Sequence, residues 1–277
     1  MIAMQGKVVV LTGGTSGIGE AAALKLASMG ARLVLVARDA SRADATLERL
    51  RRISPRTAQA TAQATHTAHL ADLSLVAETR RVGQEIAAAE PRIDVLINNA
   101  GLICARRQVT AEGFELTFAT NHLAYFVLTH GLLPRMLASA PARIVNTASE
   151  VHRGAKLDFG DLQSEHGYSG FGAYAKSKLA NILLTSELAR RLAGRGVTAN
   201  SLHPGVVASR FGQASEGGIG RSVLCALSLN PRHLVGRRCW DYRLPGVSGR
   251  RGKGERPVFQ PIQGRHAVQR SAGSGRG

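Results

Sequence analysis

Lys7-Val-Val-Val-Leu-Thr-Gly-Gly-Thr-Ser-Gly-Ile-Gly19 joins a buried-type strand to a glycine-rich turn and the start of a helix. Val8, Val9, Val10 and Leu11 form a short β-branched run, the pattern of a strand covered on both faces in a parallel sheet. Gly13, Gly17 and Gly19 then shape a turn whose missing Cβ atoms let the backbone bend sharply and approach a pyrophosphate. The free N–H groups and positive dipole end of the following helix favour that charge. Ile18, Ala22, Leu26 and Met29 recur near 3.6-residue spacing as the helix's inner face, and Gly30 stands where a cap is needed. A second strand, Arg32-Leu-Val-Leu-Val36, follows at once. That order is the context a dinucleotide site requires, a tight strand-to-helix turn without ligand being the plainer alternative.

The end of the second strand bears on which dinucleotide fits. An acidic residue there accepts from a ribose 2′-hydroxyl and repels a 2′-phosphate. In Val36-Ala37-Arg38-Asp39, Ala37 takes the place where that acid is sought, and Arg38 offers a guanidinium to a phosphate. NADP(H) is therefore expected ahead of NAD(H). The alternative is that Arg38 is a solvated loop charge beside Asp39.

Ala40 to Ile53 reads as the second helix, Arg56 to Thr65 as a repetitive surface loop, and His66 to Leu70 as the third strand. Asp72, next to Leu73, either accepts from an adenine amino group or caps the helix that opens near Leu75. Leu75, Thr79, Val82, Ile86 and Ala89 mark one face of that helix. Ile93 to Ile97 reads as the fourth strand, closed by Asn98-Asn99-Ala100-Gly101, small residues and amides that let a cofactor pass closely while bracing the backbone. A long helical pattern covers Glu115 to Leu137 and includes Asn121. The fifth strand is Ala142 to Ser149.

The densest chemistry is Tyr174-Ala-Lys-Ser-Lys178. Tyr174 and Lys178 stand at i and i+4 on one helix face, with Ala175, Leu179, Ile182 and Leu183 as the buried stripe beside them. A phenol titrates near 10, too high for a base at neutral pH. A neighbouring ammonium and the positive ring of an oxidised nicotinamide would favour phenolate. Tyr174 can then exchange a proton with a substrate oxygen, to which Ser149 at a strand end can also donate. A Tyr and a Lys one turn apart are, taken alone, more often a surface pair.

Thr12-Gly-Gly-Thr-Ser-Gly-Ile-Gly19, Asn98-Asn-Ala-Gly101, Asn121, Ser149, Tyr174-x-x-x-Lys178 and Pro204-Gly205, in that order, resemble the short-chain dehydrogenase/reductase family. The resemblance implies that Tyr174 is the general acid/base, that Lys178 lowers its pKa and holds the nicotinamide ribose, that Ser149 orients the substrate oxygen, and that Asn121 supports a water-linked proton relay. It places Thr12, Gly13, Ser16, Gly17, Ile18, Gly19, Arg38, Asp72, Leu73, Asn99, Ala100, Gly101, Pro204 and Gly205 along the cofactor, with Tyr174 and Lys178. Val36-Ala-Arg-Asp39, Thr120-Asn-His-Leu123, Arg143-Ile-Val-Asn146, Ser177-Lys-Leu-Ala-Asn-Ile182 and Asn200-Ser-Leu-His-Pro-Gly205 look like the retinol dehydrogenase-like branch. That branch implies NADP(H) and a retinoid, aldehyde or ketone substrate. His152 and Tyr168 are expected near that substrate. His152, His166 and His203 have no chelating spacing, and no metal is expected.

The chain has 277 residues, 44% of them hydrophobic, enough for one large α/β domain. The expected fold is a single Rossmann-type, doubly wound parallel sheet with helices on both faces. An epimerase with a second substrate domain is not expected. No apolar run is long enough to span a bilayer and no signal peptide opens the chain, so a cytoplasmic protein is expected. Cys104, Cys225 and Cys239 have no metal-ligand or CxxC spacing and suit free thiols.

Of the net charge of +17, residues 224 to 277 carry +9 (11 Lys+Arg against 2 Asp+Glu). That tail is rich in Arg, Gly and Pro and keeps no helical or strand period. The resemblance runs from residue 5 to about 227. The expected division is therefore an NADP-binding domain over 1–227 and a divergent, disordered tail over 228–277, with the last strand of the sheet missing. A reading frame displaced near Ser228 accounts for this composition; an Arg-rich nucleic-acid arm is the alternative. A homo-oligomer, weakened by the altered end, is expected. A Rossmann-fold protein that binds cofactor or a partner without turnover is the competing functional reading.

Overall fold

The computed structural model describes residues 4–54 and 65–205 of the chain. The expected tail over 228–277, Cys225 and Cys239 lie outside the described residues. Val8–Thr12 (β1), Arg32–Ala37 (β2), Thr67–Leu70 (β3), Val95–Asn98 (β4), Ala142–Thr147 (β5) and Val197–Leu202 (β6) form one sheet. Its order is β3-β2-β1-β4-β5-β6, and every pair is parallel. Crossovers from β1 run one way across the sheet and those after β3 run the other. The crevice at the carboxyl ends of β1 and β4 is thus the point where the winding reverses, the place where such sheets bind ligands.

Alternate strand residues explain the two covered faces. Val9, Leu11, Leu33 and Leu35 pack with Leu26 and Ala27 of the helix Gly17–Ser28 (α1) and with Leu47 and Leu50 of Ala40–Ile53 (α2). Val10, Val34, Val36 and Leu96 point the other way, onto Val82 and Ile86 of Val76–Ala89 (α3) and Leu128, Leu132 and Met136 of Ala124–Ala138 (α5). Gly30, at φ +89°, ends α1 as expected. The remaining long helix is Gly170–Arg191 (α6).

Several boundaries differ from the sequence expectation, each for a visible reason. β3 begins at Thr67 because the His66 ring, through Nδ1, takes the Leu33 N–H at 3.0 Å. β4 begins at Val95 because the buried Asp94 carboxylate is engaged by Lys7, Arg92 and the Val8 N–H. β5 stops at Thr147, since Ser149 opens a 3-10 turn, Glu150–Gly154. Ala89 is exposed, and Val82, Gly83 and Ile86 carry the buried face of α3. The helical stretch expected over Glu115 to Leu137 is Leu116–Phe118 (α4), a π-turn at Ala119–Leu123, then α5.

His66 also gives the fold a pH dependence. Its Nδ1 accepts from Leu33, so its proton sits on Nε2, 2.8 Å from the Ser54 hydroxyl. Burial, then Arg32 and Arg51, push this imidazole down to about 4. Above the ordinary histidine pKa near 6.5 both folded and unfolded chains hold it neutral, and the native state loses nothing. Between about 6.5 and 4 the unfolded chain takes up a proton that the native state refuses, so stability falls by about 2 kcal/mol after solvent screening. Urea melts at pH 7.5 and 4.5 should show this loss in the wild type and a smaller one in His66→Gln. Equal slopes would remove His66 from the account.

Candidate active site

The expected site residues fall on strand ends, the turns after them and the first turn of α1, except Asn121 in the helical run after β4 and Tyr174 and Lys178 on α6. Thr12 closes β1, and its buried Oγ1 accepts from the Asn99 and Ala100 N–H groups at 2.9 and 3.0 Å, which sews β1 to the end of β4. Asn99 donates from Nδ2 to the Thr12 and Gly13 carbonyls, the bracing expected of an amide here. Gly13 has φ +67°, and a Cβ on it would lie 2.9 Å from Ala100 Cα. A Cβ on Gly19 would overlap the Gly13 carbonyl oxygen. Gly13 and Gly19 are therefore closed to any side chain. Ser16 precedes α1 without a side-chain cap, so the first-turn N–H groups of Gly17, Ile18 and Gly19 lack helix partners.

Arg38 follows β2, exposed and without an ion pair to any described residue, while the Asp39 carboxylate accepts from the Arg42 N–H as the cap of α2. Arg42, exposed one turn into α2, is a second cation at this end that the sequence reading passed over. Its i+4 offset from Arg38 is the signal that could have found it. Asp72 does not cap α3: it accepts from the Ser74 N–H in a local turn, and Glu112 accepts from Val76 and Ala77 instead. The Leu73 side chain belongs to the core. Pro204 and Gly205 follow β6, Gly205 at φ +80°. Arg38, Asp72, Leu73, Pro204 and Gly205 stand outside the bonded set described next.

That set joins Gly101, Asn121, Ser149, Tyr174 and Lys178. The Ser149 hydroxyl and the Tyr174 phenol share a hydrogen bond. Lys178, 2% exposed, donates from Nζ to the Thr147 carbonyl at 2.9 Å, and Nζ lies 5.4 Å from the Tyr174 ring centre and 5.6 Å from that of Tyr125. The Tyr125 hydroxyl donates to the Ala100 carbonyl at 2.9 Å. Asn121 Oδ1 accepts from the Leu102 N–H at 2.8 Å, and its Nδ2 donates to the Leu102 carbonyl and to Ser177 Oγ. Gly101 lies between: a Cβ there would be 3.2 Å from Asn121 Oδ1 and 3.7 Å from Lys178 Nζ.

Burial dominates the electrostatics of the pair. It pushes the Tyr174 phenol up to about 12, with the Ser149 hydrogen bond pulling the other way. Burial also draws Lys178 down to about 7. The expected face of α6 is corrected. Ala175 and Ile182 are buried, but Leu183 is 48% exposed, and the deepest positions are the polar Ser177, Lys178 and Asn181. His152 adjoins Ser149, its Nδ1 2.6 Å from the Ser149 carbonyl. Tyr168 is committed elsewhere: its hydroxyl donates to the Cys104 carbonyl at 3.1 Å, beside the buried Glu115. Tyr125, Thr147 and Asn181 were not singled out from sequence, although Tyr125 stands one turn after Asn121 on the same helical run.

The uncapped helix start, the closed glycine turn and the exposed Arg38 fit a phosphorylated dinucleotide, whose phosphates need backbone donors at close approach and a cation at the ribose end. Among the described residues no group of three or more His, Cys, Asp or Glu is placed to hold a metal, and no helix is long and apolar enough to cross a membrane.

A crossover-reversed parallel sheet with this glycine turn defines a dinucleotide-binding class of fold. The profile of the short chain dehydrogenase family matches residues 7–218, and the chain belongs to that family. It is 42% identical over 213 residues to mouse (Mus musculus) "Retinol dehydrogenase 14", covering 76% of this chain and 64% of that protein. With human (Homo sapiens) "Retinol dehydrogenase 12" it shares 42% identity over 226 residues, 82% of this chain and 67% of the relative. The chain thus spans about two thirds of the length of these relatives, slightly less for the first. Among solved structures, the "Pseudomonas aeruginosa RhlG/NADP active-site complex" is 32% identical, with a TM-score of 0.59, covering 76% of each chain.

Proposed function

We propose that this chain is an NADP(H)-dependent oxidoreductase acting on an alcohol or carbonyl compound of the retinoid, aldehyde or ketone kind. The observation that carries the reading is the Tyr174 phenol bonded to Ser149, with a buried amine 5.4 Å from its ring, at the sheet end that holds the glycine turn. Gly13 to Gly19 would hold the pyrophosphate, Arg38 the 2′-phosphate, and Lys178 and Asn99 to Gly101 the nicotinamide half. The bound dinucleotide supplies a hydride acceptor or donor. Tyr174 gives a proton to, or takes one from, the substrate oxygen at its phenol Oη. Ser149 holds that oxygen, and the charged form of Lys178 favours the phenolate. The proposal includes an NADP-binding domain over 1–227 with an appended tail over 228–277, a cytoplasmic setting and a homo-oligomeric state. These last points are carried by the sequence reading.

A thermal melt of the full chain titrated in parallel with NADPH and NADH tests the cofactor half. At a hundred times its dissociation constant NADPH should add about 2.7 kcal/mol to the folded state. Arg38→Ala should weaken NADPH about tenfold or more and leave NADH unchanged, as expected for loss of a charge-assisted phosphate contact. Equal shifts with both dinucleotides in the wild type would overturn the assignment of Arg38. No shift with either would overturn the site.

A further inference from the structure

The helical run from Leu116 to Ala138 departs from α geometry in one place, the π-turn Ala119–Leu123. Such a turn carries one residue more than the α repeat allows and takes backbone groups off their usual partners, so it persists where outside contacts hold it. Here those contacts come from α6. Asn181, fully buried, donates from Nδ2 to the Asn121 carbonyl at 2.7 Å. Its Oδ1 lies 3.0 Å from His122 Nδ1, and since an amide oxygen only accepts, the imidazole is the donor. One side chain thus grips two consecutive residues of the turn.

Asn121 in turn is saturated. Its Oδ1 takes the Leu102 N–H, and its two amide hydrogens go to the Leu102 carbonyl at 2.9 Å and Ser177 Oγ at 3.1 Å. Ser177 passes the contact on, donating to the Tyr174 carbonyl at 2.7 Å. A chain of hydrogen bonds therefore runs from Asn181 through Asn121 and Ser177 to the backbone of Tyr174, and beside it Gly101 separates Asn121 from Lys178. An Asn121 turned by the relaxation of one π-turn into α would lose all three of its side-chain contacts together.

We propose that Asn181 is a positioning residue: it supplies the donor that the Asn121 carbonyl needs in the π-turn and the acceptor for His122, and so holds Asn121, Ser177 and Tyr174 in working register. The inference rests on the function proposed above. Asn181 would touch neither substrate nor cofactor and would act through Asn121.

The test uses the full chain and Asn181→Asp, which keeps the size of the side chain and its acceptor for His122 but sets an oxygen against the Asn121 carbonyl. Turnover with NADPH and a carbonyl substrate should fall about tenfold or more, as for a misplaced reacting group. The KM for NADPH and the NADPH-induced melting shift should stay within about twofold of wild type, which a merely structural lesion would not spare. Asn121→Ala should also lose turnover, and the double variant should be no slower than Asn121→Ala alone, because both changes act through one residue. Multiplied losses, or an equal fall in NADPH binding, overturn the proposal. If the wild-type chain turns over no substrate, the activity reading fails by itself, and amide hydrogen exchange across residues 119–125 decides the clamp. Faster exchange in Asn181→Asp supports it, and unchanged exchange overturns it.

Discussion

Tyr174→Phe is expected to lower turnover by about 10²–10⁴-fold, the range for loss of a positioned general acid or base. The melting shift with NADPH should be preserved. The phenol Oη is the only group the substitution removes, and it is bonded to Ser149. The ring itself, on which Lys178 Nζ rests at 5.4 Å, remains. Steady-state rates and a dinucleotide melt on the same preparation separate the two effects. Parallel loss of both would mean that the ring position had moved. A rate equal to wild type would remove Tyr174 from the chemistry and leave a cofactor-binding protein as the better description.

Gly19→Ala should be among the most damaging changes of a single methyl group. The new Cβ would overlap the Gly13 carbonyl oxygen, a backbone atom that can yield only if the turn moves, and would also press on Asn99 Nδ2. Moving that turn breaks the Asn99 hydrogen bonds to Thr12 and Gly13 that join β1 to β4. A stability loss of about 2–4 kcal/mol is expected, typical of overpacking in a tight site, together with loss of NADPH binding. Denaturant midpoints and the NADPH melt read the two losses separately. A variant as stable as wild type that still binds NADPH would show that the turn is more pliable than its contacts imply.

Much of the fold was legible because its signals are local. The valine run of β1, the positive-φ glycines after it and the alternation that splits Val9 and Leu11 from Val10 follow from strand period and steric freedom alone. Tyr174 and Lys178 were legible as an i, i+4 pair, and their order relative to Ser149 and Asn121 made the family recognisable. For Asp72 the sequence left two readings open, an adenine contact or a helix cap, and Glu112, far off in sequence, takes the capping role. The α6 face did mislead. Leucine spacing pointed to a buried stripe through Leu183, whereas the helix turns Ser177, Asn181 and Thr185 inward, where partners on β5 and the π-turn satisfy them. Tertiary hydrogen bonding decided those positions, and periodicity carries no trace of it. The π-turn was equally hidden, since an inserted residue leaves composition and polarity unchanged.

The buried amides at the sheet centre also check how the strands assemble. Asn98 of β4 stands opposite Asn146 of β5, and both are fully buried. Asn98 donates to Asn146 Oδ1 and Thr129, and Asn146 donates to Thr185, which links two strands to α5 and α6. The neighbouring pairs, Leu96 with Ile144 and Ile97 with Val145, would fit almost equally well if the strands slipped by two residues, since such a slip preserves which face each side chain takes. It would also strip these amides of their partners, at about 1–3 kcal/mol for each group newly unsatisfied, Asn98 Oδ1 being unpaired already. Greasy strands alone tolerate misalignment; this polar pair works as a proofreading device, rejecting the wrong alignment before the helices seal it in.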